Sequence, residues 1–145
     1  MVLNQDAIRE LIPHRASMCL LDTVEYWDAE RVVCRTRQHR SLANPLRANA
    51  QLSSIHGIEF AAQAMAVHGG LLGPNGAAPG VGLLVSLRDC VLHCERLDVL
   101  DSPLTVEARR ITGNSDLMMY GFSVTADVLV IEGRASVLLQ RSSAG

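Results

Sequence analysis

Between Ala48 and Leu87 the chain carries one formally charged side chain, Glu59. At helical spacing its neighbours Ile55, Ala62 and Ala66 are apolar, so its carboxylate is expected to be desolvated. Desolvation raises a carboxyl pKa, and a carboxyl raised toward neutrality can act as a general acid. His56 stands three residues before it and Gln63 four after, so the three share one narrow arc of a helix. A second reading stays open, in which Glu59 is a buried glutamate that meets a backbone donor or an arginine and fixes a dimer. His56, likewise, is either a proton-transfer group or a core histidine. The first helical turn, Ser53 to Gly57, offers unpaired N–H groups that would stabilise a developing oxyanion. Ser54, Gly57 and Gln63 are therefore the candidate substrate-binding residues, Gly57 because it lets a substrate approach the backbone closely.

The remaining polar residues suggest structure more than chemistry. His39, His68 and His93 read as structural or exposed. Cys19, Cys34, Cys90 and Cys94 lie in apolar runs. The pair Cys90 and Cys94 with His93 between them fits no common zinc spacing, so buried reduced thiols and no metal are expected. All 13 basic residues are arginine, which excludes a Schiff-base lysine or a phosphate-binding lysine loop. A net charge of −2 argues against general nucleic-acid binding. The opening residues have no signal-like apolar stretch, and every apolar run is too interrupted to span a membrane, so a cytoplasmic location is expected.

The elements that would hold these residues follow from pattern. A short helix is predicted over Asn4 to Leu11, ending before Pro13. Strand-like runs cover Met18 to Trp27 and Arg31 to Arg37, followed by an irregular stretch from Ser41 to Ala50. Ser53 or Ser54 caps a helix running to His68, with Gly69-Gly70 as its stop. Gly73 to Gly80 reads as a loop. Strands are then predicted over Val81–Arg96, Leu104–Ile111, Leu117–Ala126 and Val128–Gln140. With so little polar surface, the long helix is expected to be buried nearly all round. One apolar helix followed by a strand meander gives an α+β class: a single domain over residues 1–145, with an antiparallel sheet wrapped around the helix.

Three segments resemble one family. Leu11-Ile12-Pro13-His14-Arg15 with Cys19-Leu20-Leu21-Asp22 is similar to the opening of the bacterial 3-hydroxyacyl-acyl-carrier-protein dehydratases. Glu59-Phe60-Ala61-Ala62-Gln63 resembles the helix motif that carries their catalytic acid. Gly133-Arg134-Ala135 looks like the closing strand of a dehydratase-like branch tied to aryl-polyene and polyketide-type lipid pathways. The resemblance runs from Ile8 to Leu139 and implies a hot-dog fold, a dimer and no cofactor. It also implies dehydration of a 3-hydroxyacyl thioester to the trans-2-enoyl product, with Glu59 as the acid.

One departure stands out. The family's catalytic histidine lies in a short loop upstream of the glutamate, and here that loop, Asn44 to Gln51, contains none. Three possibilities follow: His56 replaces it, a partner subunit supplies it, or the chain is a non-catalytic partner in a heterodimer. Thioester hydrolysis is a further alternative on the same fold. The acyl group would arrive on a carrier protein or coenzyme A, with Arg88, Arg96, Arg109 or Arg110 available to meet an acidic carrier.

Overall fold

Asn4 starts the first helix, α1 (Gln5–Leu11), its Oδ1 accepting the Ala7 N–H at 3.0 Å. This is a computed structural model, and it describes residues 2–12, 19–72, 81–113 and 117–140. Pro13-His14-Arg15 and the Gly73 to Gly80 loop lie outside the described residues. Ile8 is the buried residue of α1 and ties it to the core. Two strands follow, β1 (Thr23–Trp27) and β2 (Arg31–Thr36). Asp28 makes the turn between them by accepting the N–H groups of Glu30 and Arg31 at 2.8 and 2.9 Å.

The central helix begins as a single 3₁₀ turn, Ser54–His56, and continues as α2 (Gly57–Leu72). It passes through Gly69-Gly70, which pattern alone reads as a stop. The reason is tertiary: a Cβ on Gly70 would sit 3.1 Å from the Leu11 carbonyl oxygen, so the glycine lets α1 press against α2. Phe60, Ala61, Ala64, Met65, Val67 and His68 recur at helical spacing and are all buried.

Four long strands complete the fold: β3 (Val81–Leu92), β4 (Leu104–Gly113), β5 (Leu117–Ala126) and β6 (Val128–Gln140). The sheet is antiparallel with order β1-β2-β4-β5-β6-β3, and α2 touches β2 to β6. Strand alternation supplies the inner wall. Met118, Tyr120, Phe122, Val124 and Ala126 of β5 are buried, as are Leu104, Val106 and Ala108 of β4. A sheet curled around one helix is the hot-dog arrangement.

Two expectations of burial need correction. The helix is not enclosed on every side: Ile55 and Glu59 are exposed, and His56, Ile58, Ala62 and Ala66 are half-buried, forming one open stripe. Nor are all the thiols buried. All four cysteines are free, Cys19 and Cys34 lie in the core, Cys94 is half-buried and Cys90 is exposed on β3. Beyond Cys90, β3 leaves Val85, Leu87, Val91 and Leu92 40–53 % exposed. Leu87 and Leu92 pair with the buried residues Ala135 and Ile131, so they face the helix side of the sheet, past the cover of α2. β3 is a sheet edge, and its register against β6 shifts twice, the second time around Asp89 at φ 54°. None of the described helices is long and apolar enough to cross a membrane.

Candidate active site

Before Glu59 can be placed, the start of its helix must be held, and a short antiparallel pairing holds it. Leu52 and Ser54 run against the segment Cys94 to Asp98. The Leu97 N–H donates to the Leu52 carbonyl at 2.8 Å, and the Ser54 N–H donates to the Glu95 carbonyl at 2.9 Å. Ser54 Oγ also donates to the Cys94 carbonyl at 2.6 Å. Asp98 completes the clamp by accepting the Leu52 N–H at 2.9 Å and the Arg96 Nε–H at 3.1 Å. The Arg96 guanidinium holds the Asp98 carboxyl well below the usual carboxylate range, with the Leu52 N–H acting in the same direction. Sequence reading missed this clamp. Its signal was the opposite charges two residues apart at Arg96 and Asp98, at the end of a predicted strand.

The far end of α2 is fixed by His68, which is fully buried. Its Nε2 lies 2.8 Å from the Asp28 carbonyl oxygen and must donate, since a carbonyl only accepts. Nδ1 is then the acceptor of the neutral ring and takes the Tyr120 hydroxyl hydrogen at 2.7 Å. The two rings meet edge to face at 5.6 Å. Burial pulls the His68 pKa down, the Asp28 carbonyl opposes this, and the nearby charge of Arg110 adds to the lowering. His39 is also buried and structural, with its Nε2 against the Leu100 carbonyl at 2.9 Å.

Between these anchors the two sides of the helix differ. Gly57 packs onto the sheet, where a Cβ would fall 2.9 Å from Ile131 Cγ2. Gln63 is buried, and its Oε1 accepts the Leu20 N–H at 2.8 Å. Ser54 is buried and spent on the Cys94 carbonyl. These three residues, expected to bind substrate, are thus engaged inside the chain. The first-turn donors are engaged as well: the Ile55 N–H with Ser53 Oγ and the His56 N–H with the Ser53 carbonyl. The expected oxyanion site at Ser53 to Gly57 therefore has its donors at Ser54, Ile55 and His56 already committed.

Glu59 and His56 are placed differently. Glu59 is exposed on the open stripe, which corrects the expectation of a desolvated carboxylate within the chain. His56, half-buried, precedes it by three residues and so lies on nearly the same side of the helix. Beside the helix start a cleft of about 460 Å³ is lined by Ser53, Ser54 and the segment Leu92 to Glu95. His93 in that cleft is exposed and lies 3.2 Å from Glu132. Upstream, Arg47 shapes the stretch that lacks a histidine by donating to the carbonyls of Ser41, Ala50 and His39 at 2.7, 2.8 and 3.1 Å. Asn49 and Ala50, at φ 54° and 61°, form its tight turn. Among the described residues no group of three or more His, Cys, Asp or Glu is gathered as metal ligands would be.

A family model, described as ApeP-like with ApeP dehydratase as its type, matches residues 6–144. The chain belongs to the ApeP-like dehydratase family. Residues 6–144 include both the glutamate of the open stripe and the closing strand β6. No curated protein sequence matches this ApeP-like chain. Among solved structures it is similar to the dehydratase heterocomplex ApeI:P from Xenorhabdus doucetiae, with 19 % identity, 94 % of this chain and 92 % of that one covered, and a TM-score of 0.81. A thioesterase from Haemophilus influenzae, at 9 % identity, covers 99 % of this chain and 96 % of its own with a TM-score of 0.67. A mutant thioesterase from Pseudomonas aeruginosa gives 10 %, 97 %, 96 % and 0.66. At these identities the three structures share the hot-dog fold with the ApeP-like chain.

Proposed function

We propose that this ApeP-like chain dehydrates a 3-hydroxyacyl thioester, delivered on the phosphopantetheine arm of a carrier protein, through Glu59. The observation that carries the reading is the single carboxylate of the central helix, exposed on the one apolar stripe that the sheet leaves open. The thioester carbonyl acidifies the C2 proton, so no cofactor is required. A base, His56 in this reading, takes that proton. Glu59 gives a proton to the C3 hydroxyl, the C3–O bond breaks, and water leaves as the C2–C3 double bond forms. Covering the stripe is part of the proposal, because the elimination needs the substrate and both side chains shielded from bulk water.

The cover we propose is a second hot-dog subunit seated on β3 and the stripe, where exposed Ile55, Leu87 and Leu92 call for an apolar partner. That the similar structure from Xenorhabdus doucetiae is a heterocomplex supports a heterodimer over a homodimer. A cytoplasmic setting fits a carrier-bound substrate.

Hydration of a crotonyl thioester, followed by ultraviolet absorbance, tests the reading. Glu59→Gln keeps the shape but cannot move the proton, and should cut turnover by a factor on the order of 10²–10⁴ with the fold unchanged. Full activity in that variant would remove Glu59 from the mechanism. A second reading, in which the chain supplies only half a site, is favoured by the absence of histidine from Asn44 to Gln51. It expects no turnover by the chain alone and turnover on adding the partner. Release of free thiol without hydration would instead point to a thioesterase.

A further inference from the structure

The strand register lines up like charges across the outer face of the sheet, the face turned away from α2. Arg31 of β2 pairs with Arg109 of β4, Arg109 with Gly121 of β5, Gly121 with Arg134 of β6, and Arg134 with Arg88 of β3. Four arginines and a central glycine thus form one row across five strands. Two residues along the strands a second row reads Glu107, Ser123, Glu132. Successive same-face residues stand about 7 Å apart along a strand, so the basic and acidic rows run side by side at that spacing. Like charges directly opposite one another destabilise a sheet, and a row of them needs compensation. Among the described residues the compensation within the chain is loose: Arg109 to Glu107 at 3.5 Å, Arg31 to Glu107 at 3.6 Å with its guanidinium 4.7 Å over the Tyr26 ring, Arg134 to Asp89 at 4.0 Å, and His93 to Glu132 at 3.2 Å.

The centre of the pattern is hollow. Gly121 and Ser123 floor a depression of about 470 Å³ flanked by the charged side chains. Nothing inside the chain requires glycine at 121, because a Cβ there would meet only Ile111 Cδ1, at an ordinary 3.7 Å. Ile111 and Leu117, near one end of the same strands, are 52 % and 39 % exposed.

We infer that this outer face docks against the same face of a second copy of the chain. A two-fold axis lying between the two sheets, parallel to the rows and midway between them, sets each basic row on the other copy's acidic row. Arg109 then faces Glu107 of the second copy, Arg134 faces Glu132 of the second copy, and Gly121 faces Ser123 of the second copy. Each contact occurs twice, as an isologous interface requires. A uniformly acidic partner fits less well, since it would press on Glu107, Glu132 and Asp89. The face lies across the sheet from the Glu59 stripe, so this contact is separate from the proposed hot-dog pairing and does not depend on it.

Sedimentation of the full chain tests the inference, with circular dichroism confirming the fold of each variant. Arg109→Glu with Arg134→Glu makes the face acidic, and Glu107→Arg with Glu132→Arg makes it basic. Each variant alone should lose half the wild-type particle mass, and an equimolar mixture of the two should recover it. Gly121→Tyr, which fills the hollow without changing charge, should also halve the mass. Wild-type mass in all three variants, or a mixture that fails to recover it, would overturn the inference. Should one variant unfold, the other two still decide. Calorimetric binding of inorganic phosphate that requires Arg109 and Arg134, with particle mass unchanged, would mark the face as an anion site and reject the docking.

Discussion

Tyr120→Phe isolates one hydrogen bond at the end of the central helix. The ring and its edge-to-face contact with His68 are kept, and only the hydroxyl that donates to Nδ1 at 2.7 Å is removed. Nδ1 cannot recover by changing tautomer, because Nε2 must keep its proton for the Asp28 carbonyl. A buried acceptor is left without a donor, a loss of about 1–3 kcal/mol. For a chain of this size 1 kcal/mol moves the melting temperature by about 3 °C, so differential scanning calorimetry should show a drop of roughly 3–9 °C. The same geometry sets a pH dependence. His68 is held neutral by burial, and His39 is lowered by burial as well, so both have folded pKa values below the unfolded one. Their contribution to stability is complete above the unfolded histidine pKa of about 6.5 and is lost as the pH falls from there toward the folded values. Each proton taken up by the unfolded chain alone costs about 1.4 kcal/mol per pH unit within that window. Urea melts of wild type at pH 7.5 and pH 5.5 should therefore differ, and His68→Gln should flatten the difference by one of the two protons. A Tyr120→Phe melting temperature within 1 °C or so of wild type, or a slope unchanged in His68→Gln, would refute the tautomer assignment.

Three smaller outcomes follow from other contacts. Asp98→Ala strips the fully buried Leu52 of its N–H partner and should cost about 1–3 kcal/mol in urea unfolding, while the wild-type clamp itself weakens only below the ordinary carboxylate pKa. Ala50→Gly relieves a left-handed residue at an exposed turn and should raise stability by about 0.5–1 kcal/mol, measured the same way. Native alkylation read by mass spectrometry should label Cys90 first, with Cys34, fully buried and its thiol pushed up to about 12, labelled only on unfolding.

Sequence pattern fixed the strands better than the burial. The β-like runs from Leu117 to Ala126 and from Val128 to Gln140 gave bounds that match β5 and β6. The stop at Gly69-Gly70 failed because Leu11, far away in sequence, packs on Gly70. Reading the uncharged run from Ala48 to Leu87 as wholly buried failed for a different reason. Hydrophobicity marks surface that avoids water, and it cannot say whether the cover is the chain's own sheet or another subunit. Ile55 and Leu87 are exposed and Ala62 half-buried, so the described part of the sheet does not cover them. Glu59 was visible as the one charge in that run, whereas the internal partners of Ser54 and Gln63, the Cys94 carbonyl and the Leu20 N–H, were not, because they are distant in sequence.

The position of β3 at the sheet edge has a consequence for synthesis. Among the described strands its one neighbour is β6, made after β4 and β5. Ribosomes add about 5–20 residues per second, so the roughly fifty residues separating the ends of β3 and β6 hold the strand unpaired for a time on the order of 3–10 s. Throughout that interval both of its edges and its apolar inner face are open, and the long loop closure that will cover one edge has yet to occur. The two register shifts, between Leu84 and Ser86 and around Asp89, make a poor template for a neighbouring nascent strand, which protects the chain while it waits. Straightening β3 by deleting Asp89 should therefore lower soluble yield far more than it lowers the melting temperature of the molecules that do fold.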